Sequence, residues 1–282
     1  RGRIKCHSHS IMSILNHLPL ALAPLQSLWR ASLALSALAV AGGVVLHLSP
    51  GNAALMLAVH AQASALPWAW EALTHMGEAG FVLVLLMYVM RKQPAGLSLL
   101  LKTWLLGALV SQLLKRAFDI PRPAAVVEPA LLFLIGHPPM SGHSMPSGHS
   151  MAAGSAAAIV LLLIPAHRRW LLPVVLSLSV LVASSRVAVG AHWPADVLVG
   201  WGLGWWVVAA AAYWERRQPW ALGLTQSHWR HVFTLMSCLL LFSFVLQPNN
   251  TTPAIVISTV GAALGLACLW HLRQSWQKRS HP

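Results

Sequence analysis

The stretch Ser185-Arg186-Val187-Ala188-Val189-Gly190-Ala191-His192-Trp193-Pro194-Ala195-Asp196 gathers an arginine, a histidine and a carboxylate between two apolar runs. Ionisable groups at the edge of such runs are costly to desolvate unless a partner or substrate compensates them, so their placement points to chemistry. Pro194 suits a first helical turn, where its missing N–H costs nothing, and predicts a helix that begins at Trp193 or Pro194 and runs through Leu198. Asp196 then stands in that first turn, four residues after His192. The spacing lets the carboxylate reach one imidazole nitrogen, fix the tautomer and leave the other nitrogen free to act. The plainer alternative is an interfacial histidine beside an acid that the helix dipole favours.

Two further stretches carry groups of the same kind. In Lys115-Arg116-Ala117-Phe118-Asp119-Ile120-Pro121-Arg122-Pro123, Lys115 and Arg122 are seven positions apart. Lys115 could be a snorkelling anchor at the end of a span. Arg122, between two prolines, is held in an extended loop instead of on a mobile tail. In Met145-Pro146-Ser147-Gly148-His149-Ser150, Ser147 is a good N-cap, and the helix after it would open with free backbone N–H groups. Those amides and the positive end of the dipole suit an anion, and Gly148 lets the anion come close to the backbone. An ordinary cap before a membrane helix is the alternative.

The elements that must position these groups are membrane helices. With 57% hydrophobic and only 9% charged residues among 282, and a mean hydropathy of +0.64, the chain is too apolar for an ordinary soluble domain. Eight stretches approach the roughly 20 residues a bilayer core requires: Ala31–Leu48, Met76–Met90, Leu97–Leu114, Gly148–Ala166, Trp170–Ser184, Ala195–Trp214, Val232–Leu246 and Pro253–Trp270. Asn52–His75, less hydrophobic, reads as an interfacial segment. The expected fold class is therefore all-α, a polytopic membrane helix bundle. The net charge of +13 comes from Lys and Arg scattered as short clusters between apolar runs, not gathered into a nucleic-acid stripe. Topology explains them: with the N-terminus inside, Arg91-Lys92, Arg168-Arg169, Arg216-Arg217-Arg230 and the tail Arg273, Lys278 and Arg279 all fall on the cytoplasmic side. Only Lys115, Arg116, Arg122 and Arg186 fall outside, within or beside the stretches already singled out.

On this count the third and fifth spans end outside and the fourth and sixth begin there, so Lys115, Arg122, Ser147, Gly148, His149, Arg186, His192 and Asp196 can meet at one level. Three cations, helix-start amides and two histidines suit a phosphoryl group, whose transition state spreads charge over its equatorial oxygens. One histidine would attack phosphorus and the other would protonate the leaving oxygen, without a metal.

The three stretches also resemble the type-2 phosphatidic acid phosphatase superfamily of membrane lipid phosphatases, similar in its active-site core to vanadium haloperoxidases. That family's pattern is Lys, six residues, Arg-Pro; then Pro-Ser-Gly-His; then Ser-Arg, five residues, His, three residues, Asp. Here it reads Lys115 to Arg122-Pro123, Pro146-Ser147-Gly148-His149, and Ser185-Arg186 to His192 to Asp196, over a core from about Met76 to Trp214. The resemblance implies His192 as nucleophile, Asp196 as its orienter and His149 as general acid, with Lys115, Arg122, Arg186, Ser147 and Gly148 binding phosphate. It implies a six-span phosphatase core over 31–214, after a basic cytoplasmic segment over 1–30. The two further apolar runs and basic tail in 215–282 depart from the six-span pattern.

Other features are weaker. Fifteen histidines do not form a metal pattern: there is no His-Glu-x-x-His, and His137, His143 and His149 are spread along a loop. Cys6, Cys238 and Cys268 have no paired or metal-binding spacing. Asn249-Asn250-Thr251-Thr252 holds glycosylation sequons but reads as a polar turn, and the small residues of Gly148–Ala158 and Gly200–Gly204 suit close helix packing. The chain starts at Arg1, with Met12 a candidate initiator. The sequence thus predicts a multi-pass lipid phosphatase of the cytoplasmic membrane with its site on the non-cytoplasmic face. Its substrate would be a phospholipid or polyprenyl phosphate, with no cofactor, metal or nucleic acid. A lipid phosphotransferase using the same phosphohistidine stays open, as does a transporter or scramblase, although ionisable residues at span ends on one side argue against the latter. Nothing in the sequence sets an oligomeric state.

Overall fold

Inside a bilayer each unpaired backbone N–H or C=O is costly, and a helix is the one single-segment form that satisfies them all. The computed structural model describes residues 23–91, 93–136, 138–140, 142–220, 226–246 and 251–280, and among these it contains eleven α-helices and no strand. They are α1 (Ala23–His47), α2 (Gly51–Ala63), α3 (Pro67–Met76), α4 (Ala79–Met90), α5 (Pro94–Phe118), the single turn α6 (Pro123–Val126), α7 (Gly148–Leu163), α8 (Leu172–Ala188), α9 (Pro194–Arg217), α10 (Gln226–Leu246) and α11 (Thr252–Ser280). Proline opens α3, α5, α6 and α9, where its fixed φ is already helical and no amide is lost. Most of the expected 1–30 segment, Met12 and Cys6 included, lies outside the described residues, as do His137 and the sequon residues Asn249 and Asn250.

All eight expected spans contain a helix, but their lengths differ. Five helical segments are long and apolar enough to cross a membrane: Ser27–His47, Gly96–Phe118, His167–Ala188, Pro194–Arg217 and Thr252–His271. The second expected span is α4, of 12 residues, bent by 61° from α3; taken together the pair makes a sixth. The fourth is α7, of 16 residues. It stops at Leu163 because Ile164 precedes Pro165, whose ring pushes its neighbour to extended backbone, and Ile164 has ψ 127°. The apolar part of α10 covers only His231–Phe244.

Helix α9 is the central element, packed against α1, α5, α7 and α8. Its contact with α7 is backbone to backbone. A methyl group added at Gly200 would stand 2.4 Å from the Ser147 carbonyl oxygen, and one at Gly154 would stand 2.3 Å from that of Trp201. Only glycine allows this approach, and it brings the start of α7 beside the start of α9, where Ser147 N donates to Asp196 O at 3.0 Å. Towards the other end, buried Lys102 of α5 donates to Glu215 of α9 and to the Gln218 carbonyl, while Ser98 also donates to Glu215. An ion pair out of water needs such extra partners.

Asn52–His75, expected as an interfacial segment, forms helices α2 and α3, both packed on α8. Asn52, Met56 and His60 of α2 are all buried and, four residues apart, share one helical face. Part of the segment's low hydrophobicity comes from Asn52 and His60, whose side chains bond inward. Beyond Arg217, α10 and α11 pack on each other, and α11 lies against α3 and α4. Phe244 is buried among Phe81, Val84 and Ile257, its ring seated over Gly261.

Candidate active site

The last turn of α8 and the start of α9 hold His192 in a closed backbone turn. The Arg186 carbonyl accepts from both Ala191 N at 3.0 Å and His192 N at 3.1 Å. This return requires Gly190 at φ +80°, where an added Cβ would meet Leu134 at 2.8 Å and His60 at 3.2 Å. Trp193 is extended and Pro194 opens α9, as the sequence predicts. Asp196 turns back, its Oδ2 accepting from Trp193 N at 2.9 Å and standing 3.2 Å from His192 Nδ1. The carboxylate therefore caps its own helix and orients the imidazole with one oxygen. Ser144 completes the arrangement: its Oγ donates to Asp196 Oδ2 and lies 3.2 Å from His192 Nδ1.

Arg122 fixes the tautomer from the other side. Its Nη1 is 3.3 Å from His192 Nε2 and donates to the Ala191 carbonyl at 3.0 Å. A guanidinium only donates, so Nε2 must accept and the ring proton sits on Nδ1, facing Asp196. A local pairing brings Arg122 here. Asp119 ends α5 in the left-handed conformation, φ 48°, Pro121 bridges to His143, and Ser144 N donates to Ile120 O at 2.7 Å. Trp193 Nε1 reaches Pro121 O at 2.8 Å, and Lys115 Nζ donates to the His143 carbonyl at 3.0 Å. All three sequence stretches are thus tied to one another around Asp196.

Lys115, Arg122, Gly148, His149, Arg186 and His192 line one cavity of about 380 Å³. Arg186, only 4% exposed, donates from Nη1 to Thr74 Oγ1 at 2.6 Å and keeps its Nε without a partner. Ser147 behaves otherwise: fully buried, its hydroxyl accepts from Ser150 N at 3.4 Å and Ser150 Oγ at 2.9 Å, so it serves the start of α7 as a cap. An added Cβ at Gly148 would meet open space, leaving that backbone free to face an anion.

Burial above all, and then the charges of Arg186, Arg122 and Lys115, hold His192 well below the ordinary imidazole pKa. Burial likewise lowers Arg122, against the opposing pull of Asp196. The chemical result is a neutral imidazole in a cationic cavity whose Nε2 lone pair faces the Arg122 guanidinium, a form that can act as a nucleophile where an anion takes up that donor. A second cavity of about 260 Å³, lined by apolar residues of α4, α5 and α7 such as Leu83, Leu86, Trp104 and Met151, meets the first at Gly148 and His149. Among the described residues no three His, Cys, Asp or Glu side chains form a metal cluster.

Sequence reasoning missed four groups that hold this site: Asn52, His60, Thr74 and Ser144. Asn52 Oδ1 accepts from Ala195 N at 3.1 Å. His60 Nδ1 donates to Ala188 O at 2.8 Å, and its Nε2 accepts from Phe133 N at 2.9 Å. The available signal was the run Asn52, Met56, His60 at helical spacing, with polar residues where a lipid-facing stripe would be apolar.

Residues 95–220 match the family model described as the PAP2 superfamily. The undecaprenyl-diphosphatase of Sulfolobus acidocaldarius is 34% identical over 138 residues, which is 49% of this chain, and the chain spans 64% of that relative's length. The crystal structure of a transmembrane PAP2-type phosphatidylglycerolphosphate phosphatase from Bacillus subtilis superposes with a TM-score of 0.51 at 24% identity. The match covers 67% of this chain and 98% of that one, and it shows a shared fold.

Proposed function

We propose that this chain, whose residues 95–220 match the PAP2 superfamily model, is a member of that family and an integral-membrane lipid phosphatase. It hydrolyses a phosphomonoester or diphosphate of a lipid through a phosphohistidine at His192, without a metal. The observation that carries this reading is the pair of contacts at His192: Asp196 Oδ2 at 3.2 Å from Nδ1 and Arg122 Nη1 at 3.3 Å from Nε2, in a cavity shared with Lys115, Arg186 and His149. Lys115, Arg122 and Arg186, with the amides at Gly148 and His149, bind the phosphate oxygens. His192 Nε2 attacks phosphorus, Asp196 stabilises the imidazolium that forms, and His149 gives a proton to the leaving oxygen. Ser147 acts through the cap.

The apolar cavity that meets the phosphate site at Gly148 and His149 supports a substrate with a hydrocarbon tail. Undecaprenyl diphosphate and phosphatidylglycerol phosphate, the substrates in the two relatives' names, both have this form, as do phosphatidate and a lipid A phosphate. In this reading the protein lies in the cytoplasmic membrane with its site on the non-cytoplasmic face, which the clusters at Arg91, Arg168-Arg169 and Arg216-Arg217 support. Residues 31–214 form the phosphatase core, and 215–282 add the hairpin α10–α11. Phosphate release by the purified full chain from vesicles of each lipid, with and without chelator, tests the reading. A phosphotransferase would instead yield a new phosphorylated alcohol from added acceptor with little free phosphate.

A further inference from the structure

Two carboxylates stand on the wall of the phosphate cavity, one of them, Glu78, also a counter-charge to Arg186. Glu71 and His75 on α3 and Glu78 just beyond it are spaced i, i+4, i+7, and all three line the cavity that holds Arg186, His149 and His192. A carboxylate repels a bound phosphate, so its place on that wall implies other work. His75 Nδ1 lies 2.6 Å from Glu78 Oε1. A carboxylate can only accept, which puts a ring proton on Nδ1 and, in the neutral ring, leaves the lone pair on Nε2. Nε2 in turn is 3.9 Å from Glu71 Oε1, too far for a direct hydrogen bond and a distance that one bridging water spans.

This wall lies against the acid of the first step. An added Cβ at Gly77, two residues after His75, would stand 3.3 Å from His149 Cβ, so the end of α3 abuts the first turn of α7. His149 marks the side from which the leaving oxygen departs, and an in-line second displacement must enter from that side. The unpartnered Nε of buried Arg186 in the same cavity is a further donor for the phosphoryl oxygens during that step.

Resting on the phosphohistidine reading, we propose that Glu71, His75 and Glu78 hold and activate the water that hydrolyses the phosphoenzyme. The water gives one hydrogen bond to Glu71 Oε1 and one to His75 Nε2, which leaves a lone pair for phosphorus. As the new O–P bond forms, the P–N bond to His192 breaks and its electron pair returns to Nε2. The proton lost by the water passes to His75 Nε2, Glu78 stabilises the imidazolium, and hydrogen phosphate leaves. No electrons are transferred to another group. His75, one-fifth exposed at its side chain, then returns the proton to solvent. The hydrolytic outcome over transfer to an alcohol is on this view a property of α3, outside the matched segment.

The test follows the two half-reactions separately. Full-length protein in lipid micelles is mixed with phosphatidate or undecaprenyl diphosphate labelled in the terminal phosphate, then quenched in alkali, where phosphohistidine survives. In His75→Gln and Glu71→Gln the label should reach His192 at the wild-type rate and leave on the order of 10²-fold more slowly, so that phosphoenzyme accumulates. Wild-type breakdown in both variants, or formation and breakdown slowed together, would overturn the water site. Phosphate release that persists in His192→Ala with no label on protein would overturn the phosphohistidine reading itself, a different and separable result.

Discussion

Asn52 and His60, eight residues apart on one face of α2, grip the two ends of the turn that carries His192: Asn52 takes the free amide of Ala195, and His60 holds the carbonyl of Ala188. Between those anchors lie Gly190 and His192, the proposed nucleophile, and His60 adds the Phe133 amide of the loop that walls the cavity. Catalysis by attack at phosphorus is sensitive to small displacements of the nucleophile. Helix α2 is thus a brace for the site.

Replacing His60 with Leu orphans the buried Ala188 carbonyl, at a cost of about 1–3 kcal/mol, removes the partner of the part-buried Phe133 amide, and frees the turn. kcat should fall on the order of 10-fold to 10²-fold with KM nearly unchanged, alongside a lower melting temperature. His60→Gln keeps a donor and an acceptor and should recover most of the kcat. A purely structural role would lower the melting temperature while leaving kcat per folded molecule as it was.

His192→Ala removes the proposed nucleophile, so turnover should drop on the order of 10⁴-fold or more while the fold persists. Asp196→Asn should be less severe, roughly 10²-fold, since Ser144 still contacts Nδ1 but charge stabilisation is lost. Ser144→Ala should cost less again. Phosphate release by folded, size-exclusion-homogeneous protein measures all three, and a wild-type rate in Asp196→Asn would reduce that carboxylate to a helix cap.

The reach of the sequence followed how local each feature is. The His192–Asp196 spacing, the α9 start at Pro194 and the Ser147 cap depend on neighbours within a turn, and they stand where the residue types placed them. Lys115, Arg122 and Arg186 were legible as exceptions to the positive-inside pattern. The partners Asn52, His60, Thr74 and Ser144 were not, because each acts on a residue far along the chain: 128 positions separate His60 from Ala188. The lengths of α4 and α7 also escaped, since the bend at Gly77 and the stop before Pro165 are tertiary and turn effects set inside continuous apolar runs.

Neutral His192 also links stability to pH. Its folded pKa lies well below the ordinary value, near 6.5 when unfolded, so between the two the unfolded state binds more protons. Stability therefore rises with pH through that window and levels off above about 6.5. The melting temperature of the purified protein should fall as pH is lowered from 7 towards 5, and the fall should be shallower in His192→Gln. Parallel curves would show that the imidazole is not held neutral.

The positive charge of a divalent ion is already supplied by Lys115, Arg122 and Arg186, which border the same cavity as His192. Activity should accordingly survive excess chelator, and vanadate, as a trigonal-bipyramidal oxyanion, should inhibit. Loss of turnover with chelator, restored by one added metal, would require a different mechanism.

The face on which the site lies decides which leaflet presents the substrate. Helix α9 runs from the site at Pro194 to Arg217 over 24 residues, about 36 Å of helix and enough to cross the hydrocarbon core. His192 and the cluster Arg216-Arg217 therefore lie at opposite ends of one span. Arg91 and Arg168-Arg169 follow α4 and α7 at the ends away from the site, so the basic clusters share the side that the proposed orientation takes as cytoplasmic. Met140, 53% exposed beside the cavity loop, should as a cysteine react with an impermeant thiol reagent in intact cells, once Cys6, Cys238 and Cys268 are replaced. A cysteine at the exposed His167 should react only after permeabilisation. The reverse labelling pattern would turn the site to the cytoplasm and change the lipid pool it can reach.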